Sequence, residues 1–93
     1  MNASKSTPCI TETEFSETYQ NTKQIQKVEV IENAAGQWHI FVWVGKQKYI
    51  LCAAKPQKTK DFRSVYGAAN RLLVHLRFKE PFMLRPHNRL PSP

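Results

Sequence analysis

Glycine and cysteine are scarce in this 93-residue chain, three of the one and two of the other, and seven acids stand against fourteen lysines and arginines. Gly36, Gly45 and Gly67 are too far apart to build the glycine-rich loop that cradles a nucleotide phosphate. Two cysteines fall short of the disulfide framework that usually staples so short a chain. Cys9 lies in a polar stretch and Cys52 in an apolar one, so both are expected as free thiols in a reducing compartment, with Cys52 serving as a small apolar side chain. Long hydrophobic runs are missing too. Ile40–Val44 and Tyr49–Ala54 are far shorter than the roughly 20 residues that span a bilayer, and no apolar segment follows Lys5. Neither a membrane span nor a signal peptide is expected, and the protein reads as soluble and cytoplasmic.

Motifs of catalysis and metal binding are also wanting. His39, His75 and His87 fall in a strand, a helix and a tail, without a C-x-x-C, an H-E-x-x-H or a carboxylate cluster beside them. No nucleophile, base and orienting group can be assembled. A chain of this size has little room for a deep substrate pocket. The expectation is a non-enzymatic protein without cofactor or metal.

What the chain has is positive charge, unevenly spread. Residues 1–32 sum to −2, residues 33–93 to +9, and the whole to +7. Such an asymmetry suits a polyanionic partner.

Hydrophobic periodicity places three strands and a helix. Val28 and Val30 alternate with Lys27 and Glu29, and the run ends at Asn33-Ala-Ala-Gly36, which predicts a turn. Trp38–Val44 and Gln47–Ala54 flank Gly45-Lys46, where glycine at the first central position suits a type II′ turn. That turn pairs Val44 with Gln47, Trp43 with Lys48, Val42 with Tyr49, Phe41 with Ile50 and Ile40 with Leu51. Side chains then sort by period two. One face holds Trp38, Ile40, Val42, Val44, Tyr49 and Leu51; the other holds His39, Phe41, Trp43, Lys48, Ile50 and Cys52. Ser64 is the expected N-cap of a helix whose apolar stripe is Val65, Ala68, Ala69, Leu72, Leu73 and Leu76. Residues 1–22 sustain neither period and read as a disordered polar tail, although Phe15 and Tyr19 would share one helical turn. Residues 81–93, broken by four prolines, read as a basic tail from which Phe82, Met83 and Leu84 fold back onto the core edge.

The expected architecture is α+β: a β-β-β-α domain over residues 23–80, a three-stranded antiparallel sheet with one helix packed on one face. The helix can cover either face. Covering the aliphatic face leaves Phe41 and Trp43 open; the other choice buries Trp43 and exposes Trp38 and Tyr49.

Aromatics interleaved with lysines on a sheet suit a nucleic acid: the rings could stack on unpaired bases, or the sheet could enter a duplex major groove with Lys46 and Lys48 reaching phosphate. The candidate contacts are His39, Phe41 and Trp43 on the face, Lys46 and Lys48 at the hairpin, and a basic rim of Lys55, Lys58, Lys60, Arg63 and Arg71. DNA is favoured over RNA. The competing expectation is a protein interface, in which the Trp43/Phe41 face binds a host protein or a second copy.

The stretch Lys60-Asp-Phe-Arg-Ser-Val-Tyr-Gly-Ala-Ala-Asn-Arg-Leu-Leu, preceded by a short hairpin, resembles small accessory proteins of plasmids and integrating elements, some of them partition-associated. The layout over about residues 26–78 also resembles the three-stranded-sheet-plus-helix DNA-binding modules of integrase arm-binding domains. The resemblance implies DNA binding in a mobile-element setting. Gly67, where such helices carry a stronger helix former, and the proline-rich basic tail depart from it.

Overall fold

Six strands form one mixed sheet in the computed structural model, which describes residues 7–22, 24–54 and 57–87. In chain order the elements are β1 (Cys9–Thr11), α1 (Glu12–Glu17, running on through a wider π-type turn at Thr18–Thr22), β2 (Ile25–Glu32), β3 (Trp38–Val44), β4 (Gln47–Ala54), β5 (Gln57–Thr59), α2 (Val65–Asn70, running on through a similar turn at Arg71–His75) and β6 (Met83–Arg85). The strands lie in the order β1-β4-β3-β2-β6, with β5 also paired to β4. β1 joins β4 and β6 joins β2 in parallel, and the other pairs are antiparallel. The expected three-stranded antiparallel sheet with one helix is therefore corrected. The predicted meander is the centre of the sheet, and it is widened by three strands of three residues each, too short to show a period in sequence. Among the described residues no helix is long and apolar enough to cross a membrane.

The meander itself follows its alternation. Val44 pairs with Gln47, Trp43 with Lys48, Val42 with Tyr49 and Phe41 with Ile50. Gly45 takes φ +61° while Lys46 does not have a positive φ, as a type II′ turn requires. At the other hairpin the Asn33 side chain accepts from the N–H groups of Ala35 and Gln37, and Gly36 supplies φ +84°. A bulge at Gln26 resolves a conflict of parity: it lets Ile25 pair with Val44 on the core side while Lys27 pairs with Trp43 on the opposite side. The expected Ile40–Leu51 pair does not form. From Leu51 onward β4 bonds to the returning chain instead: the Lys60 N–H donates to the Leu51 carbonyl, Cys52 pairs with Thr59, and Phe62 bridges to Trp38.

The disorder expected for residues 1–22 is overturned for the part described, and residues 1–6 lie outside the described residues. Thr11 caps α1 with a full capping box: its hydroxyl accepts from the Glu14 N–H, and the Glu14 carboxylate accepts from the Thr11 N–H. Ile10 and Phe15 hold the two positions of a hydrophobic staple around that cap, and both are buried in the core. Phe15, fully buried, meets the Phe78 ring edge-on at 5.7 Å, and Tyr19 lies 5.0 Å from the same ring. A partner within the chain orders the segment. The free thiols expected at Cys9 and Cys52 are corrected as well, because the two form a disulfide between β1 and β4. Parallel pairing sets Cys9 beside Ile50 and so brings it diagonally next to Cys52. The bond removes the ground on which a reducing compartment was expected.

Ser64 caps α2 through its hydroxyl, which accepts from the Gly67 N–H. Ala68, Leu72 and Leu76 are buried against the sheet, together with Val28, Val30, Ile40, Val42 and Leu51. Leu73 departs from the expected stripe and is exposed. It stands two residues after Arg71, about 200° around the helix, and Arg71 points to Glu12 of α1. Leu73 thus falls on the side of α2 that α1 does not cover. The helix ends with Arg77 in the left-handed region at φ 53°, and the reversal returns Phe78 to the core with its N–H on the Leu72 carbonyl. Both helices cover the aliphatic face, which decides the ambiguity the sequence left open.

Candidate nucleic-acid interface

The uncovered face of the sheet is assembled from every strand by parity. β3 supplies His39, Phe41 and Trp43; β4 supplies Lys48 and Ile50 opposite them; β2 supplies Lys27, Glu29 and Ile31; β6 adds Met83 and Arg85. Since β3 is the central strand, the aromatic side chains run along the middle of the face, roughly 7 Å from one to the next. His39 and Phe41 meet edge to face at 6.4 Å.

Two lysines lie on these rings. The Lys27 ammonium sits 4.3 Å from the Trp43 ring centre, and that of Lys48 sits 4.5 Å from Phe41 and 5.3 Å from Trp43. Each such contact contributes about 0.5–1 kcal/mol at an exposed site. The lysine stems also shield aromatic surface that no helix covers. The result is a partly open aromatic row with cations on both flanks, a surface that presents π-faces and positive charge together.

Among the described residues Glu29 is the one carboxylate on this face, and it is only 4% exposed. Its Oε1 accepts from Arg85 Nε at 3.0 Å and its Oε2 lies 3.4 Å from Lys27 Nζ. A buried carboxylate needs such partners, because desolvation disfavours its charge. Glu29 thereby fastens the edge strand β6 and fixes Lys27 between itself and Trp43. Lys48 makes no ion pair among the described residues and keeps its charge available.

The remaining candidates do not join this group. Lys46 stands exposed in the β3–β4 turn. Lys55 lies outside the described residues. Lys58 pairs with Ala53, which parity places on the helix side of the sheet. Lys60 and Arg71 are on that side too, where Glu12 Oε2 approaches them at 3.4 and 3.3 Å. Lys58, Lys60 and Arg71 line one open depression there, and Arg63 is exposed just before the cap of α2. Of the expected basic rim, Lys58, Lys60 and Arg71 are therefore on the opposite side from the aromatic row, and the last two share a carboxylate. Conversely, Lys27, Glu29 and Arg85 belong to the open face but were not among the candidates. Lys27 could have been found, since it alternates with the core residue Val28 and must face away from it. Arg85 could not, because β6 has no legible period.

Among the described residues no three of His, Cys, Asp and Glu come together as a metal site would need. In comparisons with known proteins the chain matches no protein family, no curated protein and no solved structure. The reading of the site therefore rests on its geometry.

Proposed function

We propose that the protein is a non-enzymatic nucleic-acid-binding accessory protein that takes unpaired bases on the open sheet face. The observation that carries this reading is the row His39, Phe41 and Trp43 on the central strand, with Lys48 and Lys27 lying on its rings. Bases stack on the open parts of these half-buried rings and phosphates take the flanking ammonium groups, and neither contact needs a particular sequence.

The width of the sheet favours a single strand over a duplex. Five strands abreast span roughly 19 Å between the outermost two, whereas the major groove is about 12 Å wide and admits a helix or a two-stranded ribbon. A face of that width meets a duplex mainly at its phosphates and leaves the aromatic row unused. The likeness of residues 60–73 to accessory proteins of plasmids and integrating elements supports DNA as the nucleic acid.

The test is a titration with a labelled single strand and a duplex of the same sequence at about 50 and 200 mM salt, using the wild type, Trp43→Ala and Lys58→Gln. Tighter binding of the single strand, weakened by salt, is expected. Trp43→Ala should cost about 1–3 kcal/mol, the value of one stacked base, and Lys58→Gln should change little. Absence of binding at the lower salt, or binding that Trp43→Ala leaves intact, refutes the proposal. Self-association or capture of a protein that fails in Trp43→Ala, without nucleic-acid binding, assigns the face to a protein partner instead.

A further inference from the structure

The outer side of α2 carries an apolar strip that neither the sheet nor α1 uses. Tyr66 is 83% exposed, Val74 60% and Leu73 54%, the three most exposed large hydrophobic residues among those described. Leu73 and Val74 follow Tyr66 by seven and eight positions, two turns of helix, so the three share one face of α2, with the exposed Asn70 between them. Isolated apolar side chains on a surface are ordinary, but three aligned on one helix face are not.

Along α2 and its flanks the chain carries charge of one sign, while the acids Glu12 and Glu17 of α1 line a depression with His75 on another side of the helix. Between Asp61 and Glu80 the chain has no acid, while Arg63, Arg71, Arg77 and Lys79 are cations. Arg71 is engaged by Glu12. Arg63 and Arg77 are exposed and make no ion pair among the described residues; they stand just before and just after α2 in the chain, Arg77 beside Tyr19, Gln20 and Lys79. Apolar contact in the middle and uncompensated positive charge at both ends form half of a complementary pair.

We propose that this strip docks an acidic amphipathic segment of a partner protein, with its apolar side chains against Tyr66, Leu73 and Val74 and its carboxylates against Arg63 and Arg77. Charge decides among the possible occupants. A second copy facing the strip would set arginine against arginine in either direction, which opposes association. A phosphate backbone offers nothing to Leu73 and Val74. A bilayer surface binds longer amphipathic helices through a larger buried apolar area. The docking face lies on the opposite side of the molecule from the aromatic row and does not depend on the nucleic-acid reading.

The test is selection of random peptides on the full chain, followed by affinity measurements with the enriched peptides in about 150 mM salt. Peptides that combine Leu, Ile or Phe at helical spacing with Asp or Glu are expected. Their affinity should fall about tenfold or more in Leu73→Ser and Val74→Ser, fall also in Arg77→Gln, and stay unchanged in Trp43→Ala. Leu73→Ser and Val74→Ser change side chains on the outer surface of α2, Arg77→Gln one just beyond its end, and thermal melts of each confirm that the fold is retained. No enrichment, enriched peptides without acids, or binding indifferent to Leu73→Ser and Val74→Ser overturns the proposal. So does a dimer in sedimentation, or binding to anionic lipid vesicles, that Leu73→Ser abolishes; either result gives the strip to a different occupant.

Discussion

Cutting the Cys9–Cys52 bond should lower the stability of the protein by about 4 kcal/mol while leaving its N-terminal arm in place. The two cysteines are separated by 43 positions. In the chain-entropy account, closing a loop of that length takes about 4 kcal/mol from the unfolded state, between about 3 for 15 residues and about 4.7 for 100. A small domain has roughly 5–15 kcal/mol in all, so reduction leaves it close to marginal. The arm has other attachments. Ile10 and Phe15 are buried in the core, each contributing roughly 1.5–3 kcal/mol by burial, and the capping box keeps α1 wound. The assay is urea unfolding followed by tryptophan fluorescence, with and without a phosphine reductant, and with Cys9→Ser and Cys52→Ala as the covalent equivalent. The midpoint should fall. The arm stays docked if the reduced protein still shows the Phe15→Ala loss described next. A change below about 1 kcal/mol would refute the entropic argument. Alkylation of two thiols in denatured, unreduced protein would refute the bond itself.

Three further outcomes follow from side chains placed by the fold. Phe15→Ala should cost about 3–5 kcal/mol in the same urea experiment, because it empties a fully buried ring site; a loss under about 1 kcal/mol would restore the disordered tail. Gly67→Ala should raise stability by about 0.5–1 kcal/mol, seen as a higher Tm, since a Cβ there meets the Phe62 side chain at 3.6 Å and Ser64 Oγ at 3.7 Å, both ordinary contacts. Arg77→Gly should also stabilise, by about 1 kcal/mol, because it relieves the left-handed conformation at φ 53° that a side chain disfavours. A fall in Tm for either variant would count against the geometry of α2.

Legibility followed the strength of local signals. The meander could be read because seven- and eight-residue strands repeat their parity several times, and because Gly36 and Gly45 stand where the turns need positive φ. The short strands could not, since three residues contain no period. The N-terminal arm is a different case. Thr11-Glu12-Thr13-Glu14 carries a complete capping-box signal, flanked by Ile10 and Phe15, and these few residues outweigh the polar composition that suggests disorder. Composition measures whether a segment can fold alone, and this one folds because Phe78 and Tyr19 complete its cluster. The disulfide was missed for a related reason: two cysteines are no framework, but a parallel strand brings Cys9 to Cys52 without one. The aromatic row was legible by alternation, whereas the side of the sheet taken by Lys58 and Lys60 of the rim was not, because it depends on where β5 returns.

That placement bears on the ligand. Lys48 and Trp43 face one side of the sheet, while Lys58, Lys60 and Arg71 face the other, and Glu12 already takes part of the charge of the last two. A polyanion bound on the aromatic row can reach Lys58 only by turning past the β4–β5 hairpin. Duplex DNA, with a persistence length of about 150 base pairs, does not turn over so short a path without a large bending cost. A single strand bends at little cost but needs no such turn, since Lys27 and Lys48 already flank the row. The charge slope then becomes informative: on the proposed reading few phosphates are neutralised at the open face, so log affinity should fall with log salt by only a few units, at close to 0.7 per phosphate for a single strand. A much steeper slope would mean that the helix-side cations are in contact as well, and that Glu12 had given them up.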